Sequence, residues 1–295
     1  MATPLTADRL AAALRAEGVG VVEVDNWRTH NRNHKGAFGP VNGVIIHHTV
    51  SRGTDSSVAL CYDGYDELPG PLCHGVIDKA GTVHLVSSGR ANHAGSGDGD
   101  VLTAVVAESP RLPRPTSNDT DGNVHFYGFE CINMGDGSDP WPAVQLDAIE
   151  RAAAAICRAY GWSAASVIGH KEWTNQKTDP VGFSMDSMRA RIASRLRTAP
   201  DKPKPTPKPT GYEPFPGADF FKKSPRSPII TAMGRRLVAE ECGRYDQGPG
   251  PQWTDADRTS FRAWQHKIGD DARFCDGWPG PRQWDALKVP RVTTP

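Results

Sequence analysis

The pattern of apolar and polar residues in the first two thirds of the chain predicts alternating strands and helices. Apolar residues recur at helical spacing from Trp141 to Tyr160, and Gly161 provides a stop signal for this helix. Residues 44–49 form a short apolar run that becomes polar at its C-terminal end, which is typical of a buried strand reaching the edge of a sheet. Shorter apolar runs predict further strands at residues 19–24, 74–78, 82–86 and 126–132. Together these elements predict an α/β domain with a mixed central β-sheet flanked by helices.

Several residues predict where helices begin and end. Thr6 and Ser184 can cap helices near the two ends of this first region, because their hydroxyl groups can accept hydrogen bonds from free backbone N–H groups. In the last third of the chain, Ser227 and the proline after it predict a helix that Gly243 ends, and Thr254 predicts the start of another. The last third is therefore predicted to form a small, mainly helical domain.

A segment rich in proline and lysine separates the two regions. Residues 199–210 read APDKPKPTPKPT. Such a composition favours an extended polyproline II conformation with a solvated backbone, which suits a linker. A surface loop within one domain is the alternative, but periodic apolar segments resume on both sides. We therefore predict a first domain at residues 1–198, a linker at 199–212 and a second domain at 213–295.

Composition and charge exclude several classes of partner. The 295 residues include 34 Lys and Arg and 34 Asp and Glu, so the formal net charge is zero and no dense basic field for nucleic acid is present. The hydrophobic fraction of 38% is enough for packed cores. No apolar run approaches the ~18–20 residues that cross a bilayer, so membrane insertion is not expected. The start of the chain lacks the pattern of a signal peptide, and we expect synthesis in the cytoplasm.

Six cysteines leave two possibilities open. Cys61 and Cys73 flank a loop rich in proline and glycine and could form a disulfide. Six buried free thiols are the alternative, because disulfides are rare in proteins that stay in a reducing compartment. The remaining cysteines are Cys131, Cys157, Cys242 and Cys275.

Two histidines and an aspartate have the pattern of a metal site. His47 ends a hydrophobic strand, where nothing apolar requires an imidazole, and His170 follows another short apolar run. Asp179 comes nine residues after His170, and the proline behind it stiffens the turn. Zinc accepts His nitrogen and carboxylate oxygen, and a catalytic site usually has three protein ligands and a fourth position for water. On spacing alone, His47 could instead be a structural histidine, and the two segments could be unrelated surface loops.

Glu130 is a candidate for proton transfer. It lies in the apolar run at residues 126–132, where a carboxylate is costly unless it is paired or functional. A buried salt bridge between Glu130 and Lys177 is the structural alternative. The sequence leaves both possibilities open.

An acidic segment just before this run partly matches the sequence pattern of a calcium-binding loop. Residues 119–123 read DTDGN, and Glu130 occupies the twelfth position of the frame. A calcium loop of the EF-hand type needs glycine at its sixth position, where this chain has Val124. We therefore interpret the segment as a turn.

Five motifs, which occur in order over residues 40–197, together resemble a known family. The chain is similar to the zinc-dependent N-acetylmuramoyl-L-alanine amidases that phage endolysins, bacterial wall amidases and peptidoglycan recognition proteins share. The motifs are residues 44–49 (VIIHHT), 73–83 (CHGVIDKAGTV), 90–95 (RANHAG), 128–130 (GFE) and 170–180, which end in KTDP.

The resemblance implies a mixed β-sheet with helices on its faces and one zinc ion in a surface groove. It implies that His47, His170 and Asp179 are the ligands of the Zn2+ ion. His48 remains a rival to His47, because strand alternation puts the two side chains on opposite faces and periodicity cannot choose between them.

The resemblance also implies catalytic and substrate-binding residues. Glu130 matches a glutamate that handles protons of the attacking water, and Lys177 matches a lysine near the developing oxyanion. His93, His74 and Asn92 are implied to bind substrate. Asn92 stands where the family often has tryptophan, which would change one wall of the groove.

The second domain is predicted to bind peptidoglycan. Its many aromatic residues could stack on sugar rings, or they could fill a small core. Trp264, Trp278 and Trp284 lie in segments that loosely resemble small helical peptidoglycan-binding domains. Binding by this domain would raise the local concentration of substrate for the first domain.

These features predict a peptidoglycan hydrolase that cleaves the amide bond between N-acetylmuramic acid and L-alanine, with a zinc-activated water as the nucleophile. The alternatives are a recognition protein that binds peptidoglycan without turnover and a zinc peptidase that acts on the stem peptide. The modular arrangement predicts a monomeric phage endolysin, which would reach the cell wall by a holin-like route or on lysis.

Overall fold

The computed structural model describes residues 2–200, 211–246 and 248–293. The chain divides into two compact units, Met1–Lys204 and Pro205–Pro295. The point of division falls within the predicted linker, but residues 201–210, which make up most of that linker, lie outside the described residues.

A six-stranded mixed sheet forms the centre of the first unit, and a short two-stranded pair lies apart from it. The strands are β1 (Gly20–Glu23), β2 (Gly43–His48), β3 (Gly75–Ile77), β4 (Thr82–Leu85), β5 (Ser96–Gly97), β6 (Thr120–Asp121), β7 (Phe126–Cys131) and β8 (Val167–Gly169). The order in the main sheet is β1-β4-β3-β7-β2-β8, and its strand pairs are parallel except for the β3–β4 hairpin. The predicted mixed central sheet is confirmed.

The register of three neighbouring strands brings polar residues to one edge of the sheet. Strand β2 is fully buried and pairs with β7 on one side and β8 on the other. His47 lies opposite Glu130, and Ile46 lies opposite Gly169, the residue before His170. Because the carboxyl ends of parallel strands meet at the same edge, His47, Glu130 and His170 are gathered there.

The first unit contains seven α-helices among the described residues, of which the sequence predicted the first, the fifth and the last. They are α1 (Ala7–Ala16), α2 (Thr54–Asp63), α3 (Gly99–Val106), α4 (Gly122–His125), α5 (Ala143–Tyr160), α6 (His170–Trp173) and α7 (Met185–Leu196). The Thr6 hydroxyl caps α1 by accepting a hydrogen bond from the backbone N–H of Arg9. Ser184 caps α7 in the same way through the N–H of Ser187. Both predicted caps are confirmed.

Helix α5 begins and ends close to the predicted positions. It begins at Ala143, slightly after the predicted start at Trp141, because Pro142 keeps an extended backbone (ψ 142°) and acts as the N-cap. It ends at Tyr160, and Gly161 adopts the left-handed conformation (φ 72°) that commonly closes a helix.

The two faces of the sheet have separate apolar cores. Alternate residues of a strand point to opposite faces. Val44 and Ile46 pack in one core with residues of α1, α5 and α7, whereas Ile45 packs in the other with residues of α3 and with Trp173. Strand β2 is therefore enclosed by helices on both sides, which is why its residues read as a continuous apolar run.

The second unit is helical and has its own core. Its helices are α8 (Ala218–Lys222), α9 (Pro228–Ala239), α10 (Asp255–Lys267) and α11 (Pro281–Leu287). Ser227 and Thr254 are the N-caps of α9 and α10, as predicted. Helix α9 ends before the predicted stop at Gly243, because Glu241 already adopts a left-handed conformation (φ 61°). Over both units, none of the described helices is long and apolar enough to span a membrane.

Most tryptophans of the second unit are core residues. Trp253, Trp264 and Trp284 are buried, which supports the core alternative for these three side chains. Trp278 is half-buried and stacks on Trp253 with 5.6 Å between ring centroids. The guanidinium of Arg258 lies 4.6 Å from the Trp278 ring centroid. Among these four tryptophans, Trp278 therefore has the most surface left for a ligand.

Of the two possibilities left open for Cys61 and Cys73, the structure has the free thiols, since all six cysteines are buried and unbridged. Cys61 and Cys73 pack in an apolar cluster with Val58, Leu72 and Val76, where they act as small hydrophobic side chains. Burial raises the pKa of the Cys73 thiol well above its ordinary value. The thiolate that disulfide formation needs is therefore disfavoured at this site.

Candidate metal centre

Three side chains converge at the carboxyl edge of the sheet. His47 lies near the end of β2, His170 begins α6 directly after β8, and Asp179 lies in the loop that follows α6. The Nδ1 atoms of His47 and His170 are 3.0 Å apart, and each lies 3.2 Å from Oδ2 of Asp179. Within the described residues, these three side chains form a group that could hold a metal ion. The structure thus brings together the three predicted ligands, which we call the donor cluster.

The donor cluster fits a tetrahedral metal ion with the bond lengths of zinc. With metal–ligand bonds of about 2.0–2.1 Å, two ligands of a tetrahedral site are about 3.3 Å apart. The observed separations of 3.0–3.2 Å are close to this value. Imidazole nitrogen and carboxylate oxygen are also donor types that zinc accepts. The residues present therefore fit such an ion in both geometry and chemistry.

The loop that carries Asp179 is fixed against helix α6. The backbone N–H of Lys171 donates to the carbonyl of Asp179 at 2.7 Å, and the Lys171 ammonium donates to the carbonyl of Pro180 at 2.6 Å. Gly169 leaves room for the proline ring, since a Cβ at this position would lie 2.9 Å from Cδ of Pro180. These local contacts keep Asp179 next to His170.

The structure separates the two adjacent histidines of β2. His48 points away from the donor cluster, and its Nδ1 accepts a hydrogen bond from the N–H of Val181 at 3.3 Å. Its ring lies so close to Gly135 that a Cβ on that residue would overlap it. His47, and not His48, is therefore the histidine that β2 contributes to the cluster.

The charge states of the donor cluster suit a cation. Burial and the neighbouring His170 lower the pKa of His47 to about 4, although Asp179 acts in the opposite direction. For Asp179, burial raises the pKa, but the adjacent His170 and His47 rings outweigh burial and hold its pKa well below the usual range. Because metal ligands must be deprotonated, His47 and Asp179 are ready to bind a cation at neutral pH.

Glu130 lies beside the donor cluster, and one of its carboxylate oxygens has no hydrogen-bond partner among the described residues. Its Oε1 is 4.0 Å from Nδ1 of His47, and its Oε2 is buried without a hydrogen-bond partner among the described residues. Burial, followed by the negative charge of Asp179, raises the pKa of Glu130 to about 8, while Lys177 acts in the opposite direction. Lys177 is exposed, and within the part of the chain that the structure describes it forms no salt bridge with Glu130. The structural alternative for this pair is therefore wrong.

His74 is not placed where a substrate could touch it. The side chain is fully buried, and its ring nitrogens are bonded to the carbonyl of Gly89 at 2.8 Å and to the N–H of Gly128 at 3.0 Å. The expectation that His74 contacts substrate directly is corrected, because its ring has no exposed surface that a substrate could reach. Asn92 is half-buried and stays a candidate for substrate binding.

His93 is also buried, and it supports the donor cluster from behind. Its Nδ1 lies 3.0 Å from Nε2 of His47. A Cβ at Gly128 would overlap the His93 ring, so glycine at that position lets the ring reach His47. The backbone of His93 is held by Asn123, a residue that the sequence placed only in a turn. Contact of His93 with substrate stays a prediction, and the structure adds a contact of His93 with the candidate ligand His47.

One signal for this support was available in the sequence. Gly128 and Glu130 are two residues apart in a predicted strand, so both are expected on the same face of the sheet. A glycine next to a candidate catalytic carboxylate indicates that another chemical group approaches the strand closely. No comparable signal identifies Asn123, because its role depends on a segment that is distant in the sequence.

Two histidines at the sheet edge and an aspartate in the loop after α6 form a group that could hold a metal ion. Residues 37–182 match the family model of N-acetylmuramoyl-L-alanine amidase. The matched segment includes all three residues of the donor cluster, together with Glu130 and Lys177. Through this segment the chain belongs to the N-acetylmuramoyl-L-alanine amidase family, and its first unit is a peptidoglycan amidase domain. No curated protein sequence matches the chain.

Three solved structures are among those to which the chain is similar. The endolysine N-acetylmuramoyl-L-alanine amidase LysCS from Clostridium intestinale URNW is 17% identical, with a TM-score of 0.39, and the match covers 58% of this chain and 94% of that one. The amidase LysC from the same organism is 14% identical, with a TM-score of 0.37 and coverages of 58% and 96%. The PlyG catalytic domain is 13% identical, with a TM-score of 0.36 and coverages of 65% and 99%.

Acidification is expected to destabilise the metal-free first unit through His74. Burial lowers its pKa from 6.5 to about 4, although hydrogen bonds with backbone groups act in the opposite direction. The unfolded chain therefore binds more protons than the folded chain between these pH values. The free energy of unfolding should fall as the pH decreases through this window, by up to about 1.4 kcal/mol per pH unit for this one group.

Urea unfolding at pH 7, 6 and 5, followed by NMR signals of the first unit, measures this dependence. The control is His74→Gln, which has no titrating group at this position and should show a smaller loss of stability on acidification. Equal pH dependence in the two proteins would contradict the neutral, buried state of His74.

Proposed function

We propose that the chain is a zinc-dependent peptidoglycan hydrolase that cleaves the amide bond between N-acetylmuramic acid and L-alanine. The observation that carries this proposal is the triangle of donor atoms from His47, His170 and Asp179, separated by 3.0–3.2 Å within the matched amidase segment. Two imidazole nitrogens and one carboxylate oxygen leave a fourth tetrahedral position for water, which is the arrangement of catalytic zinc sites.

The bound metal and the residues around the donor cluster can supply the other steps of hydrolysis, which are carbonyl polarisation and proton transfer. When bound, zinc would polarise the scissile carbonyl and lower the pKa of a water molecule. Glu130 has a partner-free oxygen beside the cluster, so it can accept a proton from the attacking water and deliver it to the leaving amine of L-alanine. A cation nearby favours the carboxylate form that this role needs.

Lys177 supplies positive charge at the same site. It is exposed, and its positive charge favours a lower pKa for both His47 and Glu130. We assign to it the stabilisation of the negative charge that develops on the carbonyl oxygen during attack. Asn92, which is half-buried, and His93 are the candidates for substrate binding.

The second unit would anchor the enzyme to its polymeric substrate. We assign peptidoglycan binding to residues 213–295 and a tethering role to the linker at 199–212. The half-buried Trp278, with Arg258 4.6 Å from its ring centroid, provides an aromatic and cationic surface that could stack on a sugar ring. Tethering raises the effective concentration of wall substrate at the first unit without any new catalytic contact.

A catalytic unit joined to a wall-binding unit suits a phage endolysin that lyses its host cell and has antimicrobial activity. In that setting, a monomeric enzyme would be made in the cytoplasm and would reach the wall by a holin-like route or on lysis. This assignment combines the amidase family with the two-unit organisation of the chain.

The full-length protein is expected to bind one zinc ion per chain through His47 and not through His48. His47→Ala removes one of three ligands and should abolish stoichiometric zinc binding. His48→Ala is the matched control and should retain zinc, because this ring lies outside the donor cluster. Metal analysis of the dialysed proteins measures the outcome, and the opposite pattern would reverse the assignment.

Glu130→Gln is expected to keep bound zinc and to lose about 10²–10⁴-fold in turnover, because the amide cannot accept the proton. Glu67→Gln, on an exposed loop, is the control and should behave like the wild type. The assay is end-group analysis of digested walls, in which the wild type should free N-terminal alanine without new reducing sugars.

Full turnover by Glu130→Gln would refute its assigned role. New amino termini from within the stem peptide would instead indicate a zinc peptidase. Wall binding by the wild type without any cleavage would indicate a recognition protein.

Deletion of residues 211–295 is expected to weaken sedimentation with purified walls but to preserve cleavage of soluble muramoyl-peptide fragments. The two units have separate apolar cores, so loss of the second should leave the catalytic site intact. Trp278→Ala in the full chain should weaken sedimentation in the same direction. Unchanged wall binding in both proteins would remove the anchoring role from this unit.

A further inference from the structure

A short segment behind the donor cluster, His93–Gly95, is held by one side chain, and we call this segment the strap. The side-chain oxygen of Asn123 accepts hydrogen bonds from the three consecutive backbone N–H groups of the strap, at 2.9, 2.8 and 3.4 Å. Asn123 is buried, and its own N–H donates to Asp121 at 3.0 Å. The position of the strap therefore depends on Asn123.

The strap contacts both imidazoles of the donor cluster on their far side. Nδ1 of His93 lies 3.0 Å from Nε2 of His47, and the carbonyl of Ala94 lies 3.2 Å from Nε2 of His170. The other nitrogen of each ring, Nδ1, faces Asp179. One short segment thus meets the two rings at the nitrogens that do not belong to the donor cluster.

A chain of hydrogen bonds determines which nitrogen of His47 carries the hydrogen. The carbonyl of Phe126 can only accept a hydrogen bond, so Nε2 of His93, 3.0 Å away, carries a hydrogen. In the neutral His93 ring, Nδ1 is then an acceptor, and Nε2 of His47 must be its donor. Nδ1 of His47 consequently has a free lone pair directed at the donor cluster.

The Ala94 carbonyl has the same effect on His170. This carbonyl also only accepts, so Nε2 of His170 carries a hydrogen and Nδ1 of the neutral ring presents a lone pair. Asp179 favours the opposite arrangement, because its carboxylate would accept a hydrogen bond from an Nδ1–H group at 3.2 Å. An imidazole in that second tautomer would have to give up its hydrogen bond before it could bind a metal ion.

We propose that Asn123 is a positioning residue of the metal centre: it holds the strap so that His93 and the Ala94 carbonyl keep both imidazoles in the metal-binding tautomer. The inference rests on the proposed zinc site and adds a residue that touches no ligand atom of it. It also gives a function to the segment at residues 119–123, which the sequence identifies only as a turn.

The tautomers can be observed in the wild-type protein without any metal. In full-length, metal-free protein labelled with 15N-histidine at pH 8, NMR distinguishes the nitrogen that carries hydrogen from the one with a lone pair. We expect the hydrogen on Nε2 in both His47 and His170. Hydrogen on Nδ1 in either ring would overturn the proposal.

Zinc affinity, measured by competition with a chelating indicator, tests Asn123 itself. Asn123→Ala should weaken zinc binding about 10–100-fold, as is usual for outer partners of metal ligands, and should move His47 towards the Nδ1–H tautomer. Asn123→Asp keeps an oxygen that can accept the same three hydrogen bonds, and it should restore most of the affinity. Gln145→Ala is the matched control, since this buried carboxamide bonds to the carbonyls of Ile77 and Ile132 and not to the strap.

The control should lower thermal stability without changing zinc affinity. Unchanged affinity in Asn123→Ala, or an equal loss in Gln145→Ala, would overturn the proposal. If Asn123→Ala does not fold, the affinity of Asn123→Asp and the wild-type tautomers decide the question. If the wild type binds no zinc, the proposed function fails, while the tautomer measurement still tests the strap by itself.

Discussion

Three donor atoms directed at one point are the constraint on which the first unit depends. Nδ1 of His47, Nδ1 of His170 and Oδ2 of Asp179 lie within 3.2 Å of one another, and a bound cation would make this arrangement of donor atoms favourable. The parallel pairing of β2 with β8 brings the two histidines to one edge, and helices on both faces of the sheet keep β2 in place. The sheet thus keeps the three donor atoms close together, although their side chains would otherwise move apart.

The same edge holds two carboxyl groups with opposite properties. The rings of His170 and His47 keep the pKa of Asp179 well below its usual range, whereas burial and the charge of Asp179 raise that of Glu130. Carboxyl groups whose environments separate their pKa values in this way can take different roles, one as a permanent anion and the other as a proton carrier. This separation supports a ligand role for Asp179 and proton transfer by Glu130.

The two units are built differently, and each structure suits a different task. The first surrounds a sheet with two cores and can hold polar side chains rigidly at one edge. The second is small, and it uses most of its tryptophans to build a single core, which leaves Trp278 as the half-buried member of the four tryptophans discussed here. Precise placement of catalytic groups therefore belongs to the first unit, and the second is suited to surface contact.

Local patterns in the sequence determined β2, helix α5 with its closing Gly161, and the caps Thr6 and Ser184, and they marked His47, His170 and Asp179 only as candidate ligands. Tertiary structure decided which of His47 and His48 joins that cluster, and that Cys61 and Cys73 remain thiols. It also decided that His74 and His93 are buried and that Asn123 holds the strap. The reason is that periodicity describes neighbours along the chain, whereas these outcomes depend on contacts such as His47 with His170, which are 123 residues apart. Strand alternation shows that two side chains face opposite ways, but only packing shows which face becomes the site.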